Sequence, residues 1–305
     1  MRRIEESGFD FIVKRNYVYL LMQKTNETAV RISSHYEING KAVKARIGSK
    51  TKFYSGIKRL SVCCEGDEDC SGLFSTLINL EFVDLAGFKT DKIVNMSRMF
   101  EMCFKLKEVL LGNNNMTKVQ NMSKMFYSCS SLEKLDFSKV MTENLNNTLS
   151  MFCNCSNLRY LDISGLKCNN VFNMNCMFGG CEKLLSLDLK HFYTNKCKEM
   201  SFMFYSCKSL KELDLTSFYT FNVVDMSSMF NGCSGLRYLD VTSFNTDKTL
   251  KMSKMFANCD NLGYLDLRSF VIGSVTKVDD IFLNCNQLNE VMIKKINIKK
   301  RLINH

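Results

Sequence analysis

The sequence of 305 residues contains no proline and no tryptophan, and it has only three histidines, His35, His191 and His305. The histidines lie far apart, and none has an evident nucleophile or carboxylate partner. No glycine-rich phosphate loop, His-Glu-x-x-His helix or Gly-x-Ser-x-Gly elbow occurs either. These absences argue against catalysis and against a cofactor, so the chain is expected not to be an enzyme. No apolar run approaches the roughly 18 residues that span a bilayer. The charged start, Met1 to Glu6, leads into no apolar segment of a secretory signal, and Val18 to Met22 is too short to be one. What is plentiful is narrow in type: 19 Met, 23 Phe and 15 Cys. Such a bias suggests a few core positions refilled again and again.

The net charge of +10 is uneven. Residues 1–62 hold 13 Lys/Arg against 5 acids, and residues 289–305 hold 5 against 1, whereas 63–288 hold 23 against 25. Basic flanks bracket a nearly neutral middle, which does not suit a nucleic-acid binder along its whole length.

The repetition is explicit. Met-Phe-x-x-Cys recurs with Phe100, Phe126, Phe152, Phe178, Phe204, Phe230, Phe256 and Phe282, Ile281 replacing Met in the last copy. Cysteines 103 to 285 follow at a constant spacing of 26 residues, and a leucine lies three residues beyond each. An earlier copy has Leu77 in the cysteine slot, and Ile57-x-x-Leu60-x-Val62 copies the strand pattern once more. In Asp225-Met226-Ser227-Ser228-Met229-Phe230-x-x-Cys233 the apolar residues fall at i, i+3, i+4 and i+7, which predicts a short helix. Asp225, Asn95, Asn121 and Asn173 suit its N-cap. Leu239-Asp240-Val241 alternates as a short strand with one face buried, and Phe244 then turns beneath the following loop. One unit cannot hide its apolar side alone, whereas stacked copies bury a continuous core.

The expected fold is therefore an α/β repeat solenoid of leucine-rich-repeat type. A parallel β ladder lines its concave face, short helices its convex face, and a small β-rich N-terminal cap closes one end. Residues 1–56 form a basic, mostly β cap, with strands at Phe9–Val13 and Tyr17–Leu21 and an Asn39-Gly40 hairpin turn. Residues 57–298 form nine clear 26-residue units plus a degenerate first rung, and 299–305 a basic C-terminal tail. Lys294 to Arg301 finish the last rung with alternating charge, which blunts an exposed edge.

The unit Met-Ser-x-Met-Phe-x-x-Cys-x-x-Leu-x-x-Leu-Asp-Leu-x-x-Phe-x-Thr resembles the repeat of BspA-like leucine-rich-repeat surface proteins, over about residues 57–298. That resemblance implies a curved solenoid, no catalysis, and adhesion or protein binding at a cell surface or in the secreted state. The many cysteines, read as free thiols, point instead to a reducing, cytoplasmic setting.

A constant register stacks equivalent side chains into columns. One is acidic: Asp84, Asp136, Asp162, Asp188, Asp214, Asp240 and Asp266, interrupted by Leu110 and ended by Met292. Each Asp should point outward, either accepting hydrogen bonds that shape its own turn or lining a binding strip. In the second reading Tyr160, Tyr238 and Tyr264 are anchors, and Arg159 and Arg237 pair ions beside Asp162, Asp188, Asp214, Asp240 and Asp266. Calcium is disfavoured, because a hard cation wants six or more converging oxygens. No metal site is expected.

The eight cysteines of the repeat read as packed thiols in a slot that also takes Leu77. Cys153, Cys168, Cys176 and Cys197 look incidental. Cys63 to Cys70, with acids between the thiols, reads as an exposed loop where the cap meets the solenoid, with a redox or metal role as the alternative. The expected function is a monomeric module binding a protein ligand on the strand face. The competing reading is a passive scaffold whose basic ends bind nucleic acid or an anionic membrane surface.

Overall fold

A computed structural model describes residues 2–3, 9–14, 17–23, 25–38, 41–273 and 276–293. It is a β-solenoid of about ten turns with parallel strands. The expected Asn39-Gly40 turn and the basic run Lys294 to Arg301 lie outside the described residues.

At the N-terminal end, β1 (Arg2–Arg3), β2 (Phe9–Lys14) and β3 (Tyr17–Gln23) pair antiparallel in order. Phe9, Phe11, Val18 and Leu20 are buried and Ile12 is exposed, the alternation of a half-buried sheet. β4 (Ala29–Ile32), β5 (His35–Ile38) and β6 (Lys41–Ile47) follow; β5 and β6 pair antiparallel, and β6 lies parallel to β3.

These strands merge into the solenoid. β7 (Arg59–Val62) pairs in parallel with β4, and β8 (Glu65–Gly66) with β6. β9 (Phe82–Asp84) stacks on β7, and β10 (Glu108–Leu110) on β9, at the 26-residue register Val83↔Val109. The parallel ladder thus begins at Ala29–Ile32, upstream of residue 56. Further along, β11 (Lys134–Asp136) pairs β12 (Tyr160–Asp162), and β13 (Tyr264–Asp266) pairs β14 (Glu290–Met292), again in parallel. Their central residues point inward and are buried among the described rungs, except Val291 in the last one.

The predicted helices do not form. No α-helix occurs among the described residues, and the Met-Ser-x-Met-Phe-x-x-Cys segment is instead a chain of tight turns. Arg98 and Met102 sit at φ 58° and 60°, Lys124 and Ser128 at 56° and 59°, and later rungs repeat the pattern. A left-handed residue every fourth position stops helix propagation. The amides that would have bonded four residues back go to the neighbouring rung: Phe100 N–H donates to Met125 O at 2.8 Å and Met102 N–H to Tyr127 O at 2.8 Å. Alternate amides close their own turn, as Cys103 N–H does on Phe100 O at 3.1 Å. A four-residue turn places apolar residues on one side almost as a 3.6-residue helical turn does, which is why the spacing misled. The expected N-caps keep their chemistry in a smaller motif. Ser97 N–H donates to Asn95 Oδ1 at 3.0 Å, and Ser227 N–H to Asp225 Oδ1 at 2.9 Å, closing Asx turns.

Bridges on this side run without a break from Asp69 through Asn95, Asn121, Asn147, Asn173, Glu199, Asp225 and Lys251 to Lys277. Beneath them nine phenylalanines, Phe74 to Phe282, stack ring on ring with centroids 5.3–6.0 Å apart. Phe53 and then Phe9 extend the stack into the N-terminal strands, so the solenoid end is closed by aromatic packing. The methionine column is fully buried, and so are the column cysteines other than the half-buried Cys285. Each column thiol also donates to the carbonyl of the Phe 29 residues earlier, as Cys129 does to Phe100 O at 3.1 Å. That contact explains why a small hydrophobe with a weak donor fills the slot.

Two outcomes follow. Far-UV circular dichroism should show β and turn signal without the double minimum of α-helix. Phe178→Ala, which removes one ring from the middle of the stack, should lower the unfolding free energy in urea by about 3–5 kcal/mol.

Candidate functional site: the Leu-Asp-Leu face

On this face each short strand buries its central leucine or valine and turns its two neighbours outward. The Asp column is built into its own backbone. Oδ1 accepts from the N–H two residues on: Ala86 for Asp84, Ser138 for Asp136, Ser164 for Asp162, Lys190 for Asp188, Thr216 for Asp214, Thr242 for Asp240 and Arg268 for Asp266, all at 2.7–3.0 Å. Ser164, Thr216 and Thr242 add their hydroxyls at 2.6–2.7 Å. Hydrogen bonding from Ser138 and Thr216 holds Asp136 and Asp214 below the usual carboxylate range. Asp266 is lowered too, by the Arg268 guanidinium, which reaches Oδ2 at 2.6 Å. Each carboxylate is thus a turn-maker first.

The column breaks at Leu110. That side chain accepts nothing, and its turn is made instead by Gly112 at φ +67°, where a Cβ would meet Ala86 Cα at 2.7 Å. Two residues further on, Asn114 is buried in the position that holds Phe88, Val140 and Leu166 in adjacent rungs. Its amide donates to the carbonyls of Leu85 and Leu111. The strand pairing is interrupted here, as it is again beyond β12: β10 ends one sheet and β11 begins another. Over the division lies a groove of about 380 Å³ lined by Glu108, Leu110, Lys134, Asp136, Tyr160 and Asp162, with Val109 and Leu135 as its floor. Leu110 is 42% exposed and Tyr160 64%. Lys134 Nζ stands 3.6 Å from Glu108 Oε1 across the division.

The expected site residues separate into two groups. Tyr160 and Asp162 border the groove, with Arg159 exposed beside them. Tyr238 and Tyr264 are bridged on adjacent rungs, with Arg237 exposed next to Tyr238. The rungs of Asp188 and Asp214 lie between. Asp266 is buried under its Arg268 clamp. Glu108, Leu110, Lys134 and Asp136 were not among the expected site residues; the interruption of the Asp column at Leu110 was their signal.

The expected exposed loop at Cys63–Cys70 is a packed corner. Cys64 and Cys70 are buried, β8 pairs with β6 between them, and Glu65 bonds Arg46 Nη2 at 2.9 Å with Lys92 at 3.4 Å. Burial pushes the Cys70 thiol up to about 12, which leaves it protonated. The segment is held in because it forms the turn between two parallel ladders. Among the described residues no cluster of three or more His, Cys, Asp or Glu is placed to hold a metal ion, and no helix is long and apolar enough to cross a membrane.

Because Asp136, Asp214 and Asp266 are lowered in the folded chain, their contribution to stability is complete above the ordinary carboxylate range. It is lost as pH falls through their folded values. Melting temperature should therefore drop on acidification, and changing all three to Asn should flatten that drop.

Comparison with known proteins agrees with this architecture. A leucine-rich repeat protein from Bacteroides ovatus aligns over 96% of this chain and 76% of its own length, with 17% identity and a TM-score of 0.54. That likeness shows the fold alone, a leucine-rich-repeat solenoid. A Treponema pallidum leucine-rich repeat protein covers 86% of this chain and 91% of its own at 15% identity and a TM-score of 0.36. A leucine-rich cell surface protein from Faecalibacterium prausnitzii covers 98% and 96% at 12% identity and 0.33. No curated protein matches. The family described as "Mycoplasma protein of unknown function, DUF285" matches residues 68–187, 136–237 and 198–301. Together these matches span residues 68–301, and the chain belongs to that family.

Proposed function

We propose that this chain is a non-enzymatic interaction module of BspA-like kind that binds a protein partner on its Leu-Asp-Leu face, as an adhesion or recognition surface. The observation that carries this reading is the groove at the Leu110 rung. There an exposed leucine and an exposed tyrosine stand over a break in the ladder, bordered by carboxylates and a lysine. Tyrosine supplies large contact area at small entropic cost, and aromatic anchors in a cleft are where interface energy concentrates. The surrounding charges of both signs suit the polar rim of such an interface. Tyr238, Tyr264 and Arg237 form a second contact patch three rungs along, so a partner lying lengthwise on the face engages both. The BspA-like kinship, with the cell-surface location it implies, rests on the repeat residues.

A partner captured on the immobilised chain should bind at least roughly 30-fold more weakly to a Leu110→Asp, Tyr160→Ala double variant, the loss expected for an anchor of about 2 kcal/mol. Melting temperature should hardly change, since both side chains face solvent. Tyr238→Ala with Arg237→Ala should weaken binding less. Unchanged binding in both, with loss on deleting residues 294–305 and a steep salt dependence, would move the site to the basic end.

A further inference from the structure

Two of the cysteines that looked incidental meet in the fold. Cys153 Sγ and Cys176 Sγ are 3.2 Å apart, on adjacent rungs. No other pair of thiols among the described residues is in such contact. They occupy two columns whose members elsewhere touch within one rung: Arg98 with Glu101 at 3.5 Å, Lys124 over the Tyr127 ring at 5.4 Å, and Phe202 against Tyr205 with centroids 5.7 Å apart. At the cysteine rungs the within-rung partners are small, Ser150 for Cys153 and Gly179 for Cys176, so each thiol turns to the other across the rungs.

Gly179 is the residue that makes room. A Cβ there would stand 2.5 Å from Cys176 Sγ, and the glycine does not have the left-handed φ of neighbouring Gly180. Backbone freedom is therefore not what the position requires; space is. The equivalent position holds Glu101, Tyr127, Tyr205 and Asn231 in other rungs. The two backbones are also locked at ladder spacing. Ser150 N–H bonds Asn175 O at 2.8 Å, Phe152 N–H bonds Met177 O at 2.9 Å, and Asn154 N–H bonds Gly179 O at 2.7 Å. The Sγ–Sγ separation of 3.2 Å has to close to the S–S length of about 2.05 Å.

We propose that Cys153 and Cys176 are a redox-active pair, a modification site at which a low-molecular-weight disulfide is reduced and an inter-rung disulfide is formed. Cys176, the more exposed of the two, attacks as thiolate. Its Sγ bonds one sulfur of the small disulfide, and the other sulfur leaves as a thiolate. Cys153 then loses its proton and attacks Cys176 Sγ, forming the Cys153–Cys176 bond and expelling the second small thiolate. The chain gives up two electrons, the small disulfide gains them, and the two protons from the cysteines end on the two released thiols. The direction fits the environment: contact with the Cys153 thiol, with help from Ser150, lowers Cys176, while Cys153, 6% exposed, is raised by that same contact and by burial. The column thiols differ in kind. All but the half-buried Cys285 are sealed in the core on Phe carbonyls, and burial pushes Cys103, Cys155 and Cys233 up to about 12. They should not react.

The test uses the full folded chain, oxidised glutathione as probe, alkylation of remaining thiols after unfolding, and peptide mass spectrometry. The expected product is one Cys153–Cys176 disulfide per chain, reversed by reduced glutathione, with a higher melting temperature because the bond constrains the unfolded chain. C153S should accumulate a stable glutathione adduct on Cys176, and C176S should form neither adduct nor bond. G179A keeps both thiols but displaces one, and should slow bond formation by about ten- to a hundredfold, as misplacement of reacting atoms does. The melting temperature of each reduced variant separates these effects from misfolding. A wild-type chain that keeps both thiols free, leaves glutathione unresolved on Cys176, or forms a different pair would overturn the proposal. So would a G179A variant that folds and closes the bond at the wild-type rate.

Discussion

Every rung of this solenoid hangs from the backbone hydrogen bonds it makes to the next one. A peptide N–H in the Met-Ser-x-Met-Phe segment has two possible partners, a carbonyl four residues back or a carbonyl 25 residues ahead. An isolated segment of this length makes a poor helix in either case, because nucleation is costly and the segment is short. Once rungs stack at a constant register, the second choice satisfies alternate amides along the whole molecule, and the remaining amides close tight turns. The left-handed residues at Arg98, Met102 and their equivalents are the local cost of that arrangement. Repetition spreads the cost evenly and makes each rung a template for its neighbour.

From that constraint the columns follow. Identical register brings Phe onto Phe and Cys onto the carbonyl beside it, so the core is a stack of repeated contacts rather than a three-dimensional jigsaw. Outward-facing columns inherit the same alignment. A single departure therefore has a visible physical consequence. Leu110 removes one turn acceptor, Gly112 takes up a left-handed turn and Asn114 enters the core. Gly179 removes one side chain, and two thiols meet.

The repeat, its length, its register and the inward orientation of Met, Phe, Cys and Leu were legible residue by residue, because periodic burial leaves a periodic sequence. So were strands β2 and β3, from their alternation. The helices were misread for a definite reason: turns of four residues and helical turns of 3.6 bury nearly the same positions, and only the hydrogen-bond partners distinguish them. Of the expected binding residues, Tyr160 and Asp162 lie at the groove, whereas Asp266 is spent on Arg268. Glu108 and Lys134 carry no motif of their own, and the interruption of the Asp column at Leu110 was the one sign in the sequence of the groove they border.

By itself, then, the sequence determined the stacking period and the composition of each column, since both are one-dimensional properties of a repeat. Tertiary structure alone decided turn over helix, the closing of the solenoid end through Phe53 and Phe9, the opening at Leu110, and the meeting of Cys153 with Cys176. Each of these depends on which atoms of neighbouring rungs stand within bonding distance. A contact between residues 23 apart in a 26-residue repeat is invisible until the rungs are laid side by side.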